Sequence, residues 1–100
     1  MKPLAFRPDV ERELDESIAH YENEQKGIGQ RFYRGYREAL SQIQQNPYTG
    51  FPSDVGTRTL RIAGFPFGII FTEFDNFVQI IAVYHLSRRP GYWITRIEDE

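Results

Sequence analysis

The sequence predicts an α+β domain of order β-α-α-β-β-β, with a helical hairpin packed on a small, mostly antiparallel sheet. Three observations predict it. Through residue 45 the apolar residues recur at helical spacing. From residue 57 they alternate or run continuously, as strands do. Between the halves lies "NPYTGFPSDVG" (46–56), dense in residues that break both structures. Helices gathered on one face of an antiparallel sheet bury both kinds of pattern at once.

The elements follow in order. "PLAFR" (3–7) alternates weakly and reads as a short first strand. Pro8 suits the first position of a helix, where its missing N–H is not needed. Val10, Leu14, Ile18 and Tyr21 then make one apolar stripe. The early acids of that helix suit the positive end of its dipole. "KGIG" (26–29) interrupts it, and a second stripe follows at Ile28, Phe32, Tyr36, Leu40 and Ile43, with Ala39 beside it. A turn this tight makes the two helices an antiparallel hairpin. In "TRTLRIA" (57–63) Leu60 and Ile62 share one face, and Thr59, Arg61 and Ala63 the other. "GFP" (64–66) is a turn, and Asp75-Asn76 makes another, from residue types that tolerate left-handed backbone. The strands between and after them, "FGIIFTEF" (67–74) and "FVQIIAVYH" (77–85), are apolar on both faces and therefore central. No linker divides the chain, so residues 1–100 are expected to be a single domain.

A net charge of −2 argues against a surface that grips nucleic acid throughout. The charges are segregated, however. Seven acids occupy residues 9–24, and Lys26, Arg31, Arg34 and Arg37 follow with no acid among them. Arg58, Arg61, Arg88, Arg89 and Arg96 lie in the second half. There is no cysteine, so neither disulfides nor thiolate chemistry is expected, which fits a reducing compartment. The first residues lack the apolar stretch of a signal peptide, and no run approaches the ~20 apolar residues of a membrane span. A cytoplasmic protein without a membrane partner is expected. Two histidines, no HExxH and no Asp-rich loop leave no metal site, and no glycine-rich phosphate loop occurs. No cofactor is expected.

The chemistry-bearing residues gather in "VYHLSRRPGYWITR" (83–96). Strict alternation puts His85 on the face of Ile81 and Val83, where its imidazole is either a proton donor and acceptor near neutral pH or a packed strand-end ring. Arg61, His85 and Arg88 could converge on one sheet face to hold an anion, or the arginines could be separate surface charges with acidic neighbours. Tyr92 and Trp93 follow a Pro-Gly turn. Either could stack on a partner, and Trp93 could equally fold back as a plug on the sheet. Arg31, Arg34 and Arg37 share a broad helix face that is either solvated or a contact for a partner.

Several features, in order and at matching spacing, carry a family resemblance. They are Ala39-Leu40, Ile43, Asn46-Pro47 and Gly50, then Arg61, Phe65-Pro66-Phe67 and the ending "AVYHLSRRPGYW" (82–93). Nearly the whole chain resembles the RelE/ParE superfamily of bacterial type II toxin–antitoxin toxins. The resemblance implies a helical hairpin on an antiparallel sheet and a cognate antitoxin that neutralises the toxin. It also places His85, Arg88 and Tyr92 where the family keeps its effector residues, and with Arg61 these could supply the catalytic roles if the chain were a nuclease. Arg31, Arg34, Arg37, Arg89 and Trp93 are the expected partner contacts. RelE-like members cut mRNA on the ribosome without a metal, whereas ParE-like members act on DNA gyrase. The nucleases tend to carry an arginine where this chain has Gly68, and often a second basic residue where it has Leu86. They also carry lysines ahead of that strand, and here the only lysines are Lys2 and Lys26. A ParE-like gyrase toxin is therefore expected, with no specific DNA binding of its own without the antitoxin. The alternatives are a metal-independent mRNA endonuclease and a non-toxic antitoxin-binding relative.

Overall fold

Two amphipathic helices lie side by side on one face of a five-stranded sheet. The structure, a computed structural model, describes residues 1–88 and 91–98. In chain order the elements are β1 (Leu4–Phe6), α1 (Pro8–Glu24), α2 (Ile28–Gln45), β2 (Phe51–Pro52), β3 (Arg58–Arg61), β4 (Phe67–Glu73), β5 (Val78–His85) and α3 (Ile94–Glu98). The sheet order is β1-β5-β4-β3-β2. β1 runs parallel to β5 and every other pairing is antiparallel, so the sheet is mixed. The two strands apolar on both faces, β4 and β5, are indeed interior. The two-residue β2 and the five-residue α3 are additions to the expected order. Neither is long enough to show a period in the sequence.

The stripe of α2 (Phe32, Tyr36, Ala39, Leu40, Ile43) and Val10 of α1 pack on Phe67, Ile69, Phe71, Val78, Ile80 and Val83. Phe32 sits at the aromatic centre, with ring centroids 5.3 Å from Tyr21, 5.1 Å from Phe65 and 5.0 Å from Phe67. Two of these contacts are edge-to-face, which adds to plain area burial. The hairpin is pinned at its turn. Glu22 accepts hydrogen bonds from the Gly27 and Gly29 N–H groups at 3.0–3.1 Å, satisfying donors that open the second helix. Gly29 lets the helices touch, since a Cβ there would lie 2.9 Å from the Ile18 carbonyl oxygen.

Cross-strand partners share a face. Leu60, Ile69 and Val83 therefore point to the helices, and Arg61, Gly68 and Tyr84 point away. The ladder slips once, because Ile70 pairs with Ala82 while Phe71 pairs with Ile80. Ile81 is the extra residue of this bulge, so Ile81 and Ala82 both face away from the helices. Strict alternation had put His85 with Ile81. The bulge instead places His85 on the helix side with Ile80 and Val83. The far face carries a smaller cluster of Ile70, Ile81 and Ala82 under Trp93. Among the described residues, no helix is long and apolar enough to cross a membrane.

Candidate functional site

The site is built where β1 gives out. The last bond from its side runs from the Arg7 N–H to the Ile80 carbonyl, at 3.0 Å. Beyond that point the outer edge of β5 has no strand neighbour among the described residues, and its backbone groups need other partners. Two side chains supply them. The Val83 N–H donates to Glu13 Oε1 at 3.1 Å, and Arg96 Nη1 donates to the Ile81 carbonyl at 3.0 Å. Glu13 and Arg96 also grip each other, at 2.9 Å (Nη1 to Oε1) and 3.0 Å (Nη2 to Oε2). Arg96 Nε reaches Asp9 Oδ2 at 2.8 Å, and the Tyr92 hydroxyl donates to Glu13 Oε2 at 2.7 Å. The C-terminal segment thus wraps the β5 edge, with Trp93 on the far face and Arg96 clasped by α1.

Burial alone lowers the tendency of Arg96 to stay charged, but Glu13 and Asp9 outweigh it and the guanidinium is raised above its ordinary value. Burial, then the hydrogen bond to Glu13, push the Tyr92 phenol well above its ordinary 10.0. A group raised in the folded state contributes stability that is complete below its unfolded value and lost as pH climbs through the folded one. The Tyr92 contribution is therefore intact below about pH 10 and is lost above it. Tyr36, pushed up to about 12 chiefly by burial, behaves in the same way. Tyr92→Phe is expected to leave a shallower fall of the urea midpoint between about pH 9 and about pH 11 than the parent shows. Equal falls in both proteins would remove Tyr92 from the alkaline transition.

The expected effector residues do not form one cluster. His85 and Arg88 share a small cavity of about 190 Å³ with Glu13, Glu16 and Ser17, on the α1 side of the sheet. Arg61 is exposed on the opposite face, so the convergence of Arg61, His85 and Arg88 is not formed. The bulge at Ile81 and the turn of the chain around the β5 edge separate them. His85 Nδ1 accepts from the Ser87 N–H at 3.1 Å and lies 2.7 Å from Ser87 Oγ, and the ring packs edge-on against Phe67. The exposed Arg88 guanidinium stacks 3.9 Å over the Tyr92 ring. Tyr92 itself is tied to Glu13. Trp93 is 3% exposed and plugs the far face, so its ring is not an open contact for a partner. Arg31, Arg34 and Arg37 are exposed along α2, and Arg37 donates to the Tyr33 hydroxyl at 3.1 Å. Arg89 lies outside the described residues.

Glu13 and Arg96 were not among the sequence candidates. One signal could have found the acid. Glu13 lies three residues after Val10 and four before Ser17, on the buried face of its helix, where a carboxylate needs a partner. Arg96 gave no such signal, because α3 is too short to define a face.

The place where the nucleases keep an arginine is filled. A Cβ on Gly68 would lie 2.9 Å from Thr59 Cγ2 and 3.0 Å from Leu86 Cδ2. At the β1 edge, by contrast, the molecule is open. A groove of about 740 Å³ runs between β1, α1 and α2, lined by Leu4, Phe6, Leu14, Tyr36 and Leu40, with Arg7, Glu11, Tyr33 and Arg37 around them.

No protein-family profile matches the chain, and no curated protein matches it. Among solved structures, a chain of the chromosomal ParDE TA system from P. aeruginosa is similar. It aligns at 26% identity with a TM-score of 0.76, over 85% of this chain and 96% of that one. That likeness covers most of the chain, in keeping with the motifs from Ala39 to Trp93. In fold and in these motifs the chain is similar to the RelE/ParE superfamily, nearer the ParE-like branch.

Proposed function

We propose that the chain is the toxin of a type II toxin–antitoxin pair, acting by binding DNA gyrase and neutralised by a cognate antitoxin. The likeness to the ParDE system carries this reading. The geometry supports binding over RNA cleavage. Metal-independent cleavage needs a base, an acid and a charge stabiliser around one phosphate. Here Arg61 and His85 are on opposite faces, the Tyr92 hydroxyl is given to Glu13, and Thr59 and Leu86 fill the space beside Gly68.

Trp93 covers the Ile70, Ile81 and Ala82 patch on the far face of the sheet, and Thr59 on the same face is fully buried. The groove between β1 and the helical hairpin is open, with an apolar floor and cationic and aromatic residues at its rim. It suits an amphipathic antitoxin segment that folds as it binds. The purified chain is expected to inhibit supercoiling by gyrase and to leave ribosome-bound mRNA intact. Codon-specific cleavage mapped by primer extension, with gyrase unaffected, would reverse the assignment in favour of the nuclease. Neither activity, with no growth defect on expression, would leave an antitoxin-binding relative without toxicity.

A further inference from the structure

We infer that the loop at residues 46–57 is a preformed apolar ridge by which the chain docks into a cleft on its protein target. The inference rests on the toxin reading above and names a surface for it. Val55 has φ 51° and ψ 42°, and Gly56 follows at φ 77°. Two successive left-handed residues form a turn that favours Asn, Asp or Gly. A β-branched residue there is an outlier held at a cost in stability. Its side chain recovers little of that cost in the isolated protein, because Val55 is 59% exposed. Tyr48 and Phe51, in the same loop, are 72% and 51% exposed.

The ridge is braced rather than loose. Arg58 donates from Nε to the Thr49 carbonyl and from Nη2 to the Gly50 carbonyl, both at 3.0 Å. The hydroxyls of Ser53 and Thr57 lie 2.7 Å apart, Thr59 Oγ1 reaches Ser53 Oγ at 3.1 Å, and Thr72 Oγ1 donates to the Gly56 carbonyl at 3.2 Å. Gly50 is pressed against β3, where a Cβ would lie 2.2 Å from the Thr59 carbonyl oxygen. A rigid loop loses little freedom on binding.

The chemistry of the loop selects the partner. Residues 46–57 hold a single charge, Asp54, in a chain with 26% charged residues. A nucleic acid or an anionic membrane would be met by cations. Uncharged aromatic and aliphatic side chains fit an apolar cleft on a protein. β2 is also a poor template for strand addition, being two residues long with Pro52 as one of them. Contact is therefore made by side chains. The ridge and the groove at β1 are on opposite edges of the sheet. Four strand spacings, about 19 Å, separate those edges at β2 and β1, although the α2 end of the groove, at Ser41 and Gln44, lies nearer the start of the loop.

The test is Val55→Asn, assayed with purified DNA gyrase and by thermal melting. The melting temperature is expected to rise by about 4 °C or more, since asparagine tolerates the left-handed turn. Inhibition of supercoiling is expected to weaken at least about tenfold, as for loss of an interface anchor. Phe51→Ser is expected to weaken inhibition similarly, without the thermal gain. A Val55→Asn chain that inhibits gyrase as well as its parent overturns the ridge alone. One with an unchanged or lower melting temperature overturns the stored cost on which the inference stands. A wild-type chain that leaves gyrase unaffected overturns the functional reading and the ridge together.

Discussion

Glu13→Gln is expected to destabilise the protein by about 3 kcal/mol, the low end of the range for breaking a buried ion pair. Glu13 is 5% exposed and holds the Val83 N–H, the Tyr92 hydroxyl and both terminal nitrogens of Arg96. A glutamine keeps the shape but leaves the Arg96 charge, itself 9% exposed, without its principal partner. Asp9 still reaches Arg96 Nε at 2.8 Å, which is why the low end applies. For a domain of this size the melting temperature should fall on the order of 15 °C. A double variant, Glu13→Gln with Arg96→Gln, should recover part of the loss, because the single change is costly mainly through the unpaired charge. Losses below about 1 kcal/mol in both single variants would mean that the clasp contributes no more than a surface pair. The consequence reaches the surface. Arg88 stacks on Tyr92, and Tyr92 is held by Glu13, so the loss of one buried carboxylate frees an exposed guanidinium from its platform.

Sequence periodicity carried both long helices, the interior strands and the direction of Arg61, because each reports a face repeated over many residues. What it could not carry was the bulge at Ile81. One inserted residue is invisible in a run of "IIAV" that is apolar in every position, yet it decides on which face His85 lies. Arg96 escaped for a related reason. Its partners are on α1, 83 residues away for Glu13, and nothing local marks it as buried. The groove at β1 escaped as well, since a cavity is a property of how β1, α1 and α2 sit together. Trp93 as a plug, by contrast, follows from elementary chemistry. A large apolar ring after a short turn finds the nearest uncovered apolar surface, and Ile70, Ile81 and Ala82 provide it. The family ending "AVYHLSRRPGYW" therefore mixes packing with surface chemistry. Val83 and Trp93 fill cores, Tyr92 is a strut, and Arg88 is left to meet solvent.

Phe6→Glu combined with Tyr33→Glu is expected to weaken binding of the proposed antitoxin a thousandfold or more, about 4 kcal/mol. Phe6 is 49% and Tyr33 is 38% exposed, and both line the groove between β1 and the hairpin. An amphipathic segment lying there would bury its apolar face against Phe6, Tyr36 and Leu40, so two carboxylates would be forced into the contact, the one at position 33 with only Arg37 beside it. The fold should tolerate the change. Phe6 belongs to neither buried cluster, and Tyr33 contributes a stacking contact with Tyr36 and the hydrogen bond and ring contact of Arg37, all at the surface of α2. Surface substitutions of this kind stay within about 0.5 kcal/mol each. Calorimetric titration with the antitoxin, alongside thermal melting, separates the two effects. A melting temperature near that of the parent with no detectable complex places the antitoxin in the groove. An unchanged affinity moves it elsewhere, to the exposed arginines of α2 or the β2 edge.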